Sequence, residues 1–113
     1  MTHRTRSFVF RTFPLLAATF AFSSPSLAGC TLPQAPSKVP QADTATDAQM
    51  REAMQTVKRY NTDVETYTKC LAFEVKQGRM SAADAAKLHN AAVDRLQKVA
   101  AQFNEQMKIF LGH

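Results

Sequence analysis

The chain has 113 residues, with 14 Lys and Arg against 9 Asp and Glu, a formal charge of +5 and a pI near 9.6. Residues 1–28 read as an export signal that holds Arg4, Arg6 and Arg11 but no acid, so the remaining segment carries eleven basic residues against nine acids, or +2. A segment of about 85 residues at near-neutral charge excludes a multidomain enzyme, a polytopic membrane protein and a strongly basic nucleic-acid binder.

The signal has three parts. Met1 to Arg11 is basic and free of acids. Thr12 to Phe22 is a mostly apolar run, short of the ~20 residues a membrane-spanning helix needs. Ser23 to Ala28 is a small-residue tail that places Ser26 and Ala28 where a signal peptidase reads them. The expected destination is the periplasm or the medium.

Leu27-Ala28-Gly29-Cys30 also fits a lipobox. Cleavage before Cys30 would expose its thiol for lipidation and yield an outer-membrane lipoprotein with a structural role. Two features stand against that. Ser23 to Ser26, with Pro25 inside, separates the motif from the apolar run. Lipidation would also leave Cys70 a lone thiol in an oxidising compartment. Two cysteines in a small exported chain otherwise read as one disulfide, Cys30 to Cys70. From the residues alone, both readings stand.

Residues 29–45 contain Pro33, Pro36 and Pro40. Proline fixes φ and removes a backbone donor, so the segment is extended and polyproline-like. Leu32 and Val39 are its only large aliphatic side chains available for docking.

Residues 46–113 carry a helical period. Thr46-Asp47-Ala48-Gln49 is a capping box. Met50, Ala53/Met54, Val57, Tyr60, Val64, Tyr67, Leu71 and Val75 then recur every three or four residues. This predicts an amphipathic helix over about 47–77, closed by Gly78. Ser81 starts a second helix over about 82–110, with the stripe Ala85, Leu88, Ala92, Leu96, Val99, Phe103, Met107 and Phe110. Asp47–Arg51, Glu65–Lys69 and Asp94–Lys98 mark the solvent faces as pairs four residues apart. The expected fold is all-α: an antiparallel two-helix hairpin with an extended N-terminal segment.

Such a hairpin has a thin core at this size. A Cys30–Cys70 bond would close a loop of about 40 residues and add about 4 kcal/mol by chain entropy. Homodimerisation to a four-helix bundle is the other supplement.

Little points to catalysis, and no enzyme activity or cofactor is expected. There is no Gly-rich phosphate loop and no paired metal ligands of the zincin type. Asp63 and Glu65 lie two apart on a helix and point apart. Met50 and Met54, with His89, are weak metal candidates, because thioethers suit Cu(I). Met at this spacing more often fills a core. Nucleic acid is not an expected partner, and a membrane is one only through a lipidated Cys30. Tyr60, Tyr67, Phe73 and Phe103 are candidate contact residues, with core packing the competing role.

The ordered set Ala35-Pro36-Ser37-Lys38-Val39-Pro40, Tyr60-Asn61, Tyr67-x-x-Cys70-Leu71, His89-Asn90-x-x-Val93 and Phe103-Asn104-x-Gln106 resembles a group of small, uncharacterised exported proteins of proteobacteria. The resemblance implies export and a Cys30–Cys70 disulfide. It implies no activity. The function expected is non-catalytic binding of a protein or an envelope component, with a small-ligand or metal carrier as a further alternative.

Overall fold

The computed structural model describes residues 29–112. Residues 1–28, where the sequence predicts an export signal, and His113 lie outside them.

Two helices of 30 residues each, α1 (Asp47–Lys76) and α2 (Ala82–Leu111), pack against each other as a hairpin. Each is about 45 Å long at 1.5 Å per residue. The Thr46 hydroxyl accepts from the Gln49 N–H at 3.2 Å, and the Thr46 N–H donates to the Gln49 side chain at 2.8 Å. The capping box thus satisfies donors that the first turn cannot pair internally. At α2, the Ser81 hydroxyl accepts from the Asp84 N–H at 3.0 Å.

Between the helices, Gly78 has φ +71°. The Arg79 N–H donates to the Glu74 carbonyl and the Gly78 N–H to the Val75 carbonyl, both at 3.0 Å. That pair of bonds is a Schellman motif, which needs a left-handed residue at this point. Glycine adopts it without a Cβ penalty.

The core runs along the seam. Tyr60, Val64, Tyr67 and Leu71 of α1 meet Ala85, Ala92 and Val99 of α2, and Cys30 joins them from the N-terminal segment. Val57, Val75, Leu88 and Leu96 pack at its margin. Among the described residues, no helix is long and apolar enough to cross a membrane.

Cys30 and Cys70 form a disulfide with Cα atoms 5.7 Å apart. It ties residues 30–42 across the hairpin as a strap. The other end is held by the Ala42 N–H, which donates to Gln106 Oε1 at 2.9 Å. Gln41 then turns the chain into α1, its carbonyl accepting from the N–H groups of Thr44 and Ala45.

Burial along the strap has a period of three. Cys30, Pro33, Pro36, Val39 and Ala42 are buried or half-buried, while the residues between them are exposed except for the half-buried Pro40. A polyproline II helix has three residues per turn, so every third side chain returns to one face. Of the two large aliphatic side chains available for docking, only one is used. Val39 lies on the docking face; Leu32 lies off it and stays 44% exposed. Ala42, at 5% exposure, docks in its place.

Candidate functional site

Three places bring chemically distinct side chains together. The first surrounds the disulfide. Glu74 lies one helical turn beyond Cys70, and the ligating atoms of Cys30, Cys70 and Glu74 lie within 4.8 Å of one another. With the two sulfurs bonded to each other, neither is a thiolate, so in this state the cluster is not a metal centre. The Glu74 carboxylate is instead held by Arg79, whose Nε and a terminal nitrogen donate to its two oxygens at 2.7 and 2.9 Å. These hydrogen bonds hold the Glu74 carboxyl below its ordinary pKa; the positive charge of Arg79 adds to the effect and burial opposes it. The same hydrogen bonds push Arg79 upward. The guanidinium also lies over the Phe73 ring, 5.5 Å from its centroid.

The second is a cleft of about 500 Å³ beneath the far half of the strap. Pro36, Val39 and Pro40 form one wall, and Ala53 and Val57 of α1 with Phe103 of α2 form the floor. Lys38 and Glu52 place opposite charges among its lining. The strap above the cleft is fixed by the Cys30–Cys70 bond at one end and by the Ala42–Gln106 hydrogen bond at the other.

The third is a smaller cavity of about 280 Å³ at the open end of the hairpin. Met50 and Met54 line it from α1, Met107 and Phe110 from α2. His89 is exposed on α2, eighteen residues before Met107, or about 27 Å along the helix axis. The sequence-predicted methionines therefore come together, Met107 joins them, and His89 does not.

The aromatic candidates divide. Tyr60, Tyr67 and Phe103 are buried, and Phe73 is 53% exposed. Asn61 and Asn90 are both exposed, and Asn61 donates to Glu65 at 3.0 Å on its own helix. Glu65 thus pairs with Asn61 rather than Lys69. The Glu74–Arg79 pair was missed by periodicity, because Glu74 interrupts an apolar stripe. The available signal was an acid and a base flanking Gly78.

Comparison with protein-family models, curated proteins and solved structures found no match to this chain.

Proposed function

We propose that this chain is an exported, non-catalytic binding protein that uses the strap-covered cleft to hold a protein or an envelope component. The cleft carries this reading. Its volume lies in the range of small-molecule and side-chain binding sites, and its apolar walls with a few charged groups suit an amphiphilic or extended partner. The disulfide supports an extracytoplasmic location, since such bonds persist in oxidising compartments. The resemblance to small exported proteins of proteobacteria supports the same location. A Cys30 sulfur bonded to Cys70 has no thiol to acylate, so the disulfide form and the lipoprotein form are mutually exclusive. The disulfide form is the one consistent with the strap.

The test is site-specific photo-crosslinking in cells that export the protein. A photoreactive residue at Lys38 or Glu52 should trap a discrete partner, and one at Lys87 on the first turns of α2 should not. Filling the cleft with Ala53→Trp should abolish the crosslink while the disulfide remains intact. Equal crosslinking from Lys87, or crosslinking unchanged by the cleft-filling variant, would contradict the proposal.

A further inference from the structure

We propose that Met50, Met54 and Met107 form a Cu(I) site at the open end of the hairpin. This is distinct from the strap-covered cleft and does not rest on it.

Beyond the export signal the chain has four methionines, at positions 50, 54, 80 and 107. Three of them line one cavity of about 280 Å³. The core cluster is built from Tyr, Val, Leu, Ala and Cys, with Met80 only packed against it. Met50 is 1% exposed yet does not belong to that cluster. Elsewhere on the seam, then, the chain fills space with aliphatic and aromatic carbon. It concentrates thioethers where a void remains.

Met50 and Met54 are one turn apart on α1, so both side chains reach the same side of the helix. Met107 faces them from α2. Thioether sulfur is a soft, uncharged donor that selects Cu(I) over harder divalent ions. Met54 and Met107 are half-exposed, which leaves an entry path. Phe110 and Leu111 add apolar lining, and Asp47 and Arg51 contribute one carboxylate and one guanidinium, so the charged lining is balanced and the thioethers are the soft donors. The step is coordination alone: Cu(I) exchanges the ligands of its carrier for three sulfur lone pairs, with no change of oxidation state.

The experiment uses the oxidised, disulfide-bonded protein without oxygen. Cu(I) is presented as its bicinchoninate complex, whose absorbance falls as metal leaves the chelator. Wild-type protein should remove about one equivalent. Met54→Leu with Met107→Leu keeps side-chain volume close to constant and should remove none, with an unchanged circular-dichroism melt. The single Met107→Leu variant should compete at least tenfold less well than wild type. If wild-type protein leaves all the copper on the chelator, or if the double variant takes as much as wild type, the proposal is overturned.

Discussion

Glu74 and Arg79 are joined twice across the hairpin turn. The Arg79 amide donates to the Glu74 carbonyl at 3.0 Å, and the Arg79 guanidinium grips the Glu74 carboxylate with two further bonds. A Schellman motif usually brings an apolar contact between these two positions; here a forked ion pair takes its place. The pair closes the turn and keeps a buried carboxylate satisfied beside the disulfide, since burial of an unpaired charge is strongly unfavourable.

Acid should therefore weaken the fold through Glu74. Its folded pKa lies below the ordinary 4.5, so the unfolded chain holds the proton more tightly. The stabilisation is complete above the unfolded value and is lost as pH falls through the lower folded value. The melting temperature of wild type should fall more steeply than that of Glu74→Gln between about pH 5 and pH 3, and the two should converge at the acid end. Parallel profiles over that range would show that Glu74 does not carry this pH dependence.

Breaking the disulfide should cost more than any single helix contact. Cys30 and Cys70 are 40 residues apart, and a loop of that size corresponds to about 4 kcal/mol in the chain-entropy account. Cys70→Ser should lower stability in urea by about 2–4 kcal/mol, and Cys30→Ser by a similar amount. Two variants as stable as wild type would mean that the strap adds nothing to the fold.

The period of three along the strap makes a position-specific prediction. Leu32→Ser, on the exposed side, should change stability by no more than about 0.5 kcal/mol. Ala42→Asp, on the docked side, buries a charge and should destabilise by about 2 kcal/mol or more. Gln106→Ala removes the acceptor for the Ala42 amide and should speed hydrogen exchange there, at a cost of about 1 kcal/mol. Equal effects at Leu32 and Ala42 would argue against a docked polyproline face.

Gly78 provides a test of the turn. Nothing lies within 4 Å of where its Cβ would sit, but its φ is +71°. Gly78→Ala should destabilise by about 1 kcal/mol through backbone strain alone, with no loss of the disulfide. A neutral result would mean that the turn relaxes to a different closure.

The helices were legible because their signals are local. The Thr46 capping box, the Ser81 cap, Gly78 and the two stripes place α1 and α2 within a residue of the bounds observed. The docking face of the strap was harder to read. Leu32 looked like an anchor by its hydrophobicity, but only the three-residue period sorts it from Cys30, Pro33, Pro36, Val39 and Ala42. The Gln106 contact spans 64 residues, and no local pattern announces it. Met50 and Met54 were visible as a pair, whereas Met107 needs the antiparallel register to reach them. His89 fell away for the same reason: helix register, not residue type, decides which side chains meet.

The most direct test is the intact mass of the protein from fractionated cells, measured with and without reduction and thiol alkylation. An exported, disulfide-strapped hairpin predicts a periplasmic or secreted species beginning at Gly29, two hydrogens lighter than its reduced form. It should take up alkyl groups at Cys30 and Cys70 only after reduction. A membrane-bound species that begins at a fatty-acylated Cys30, with Cys70 open to alkylation at once, would contradict it and turn residues 31–45 into a tether.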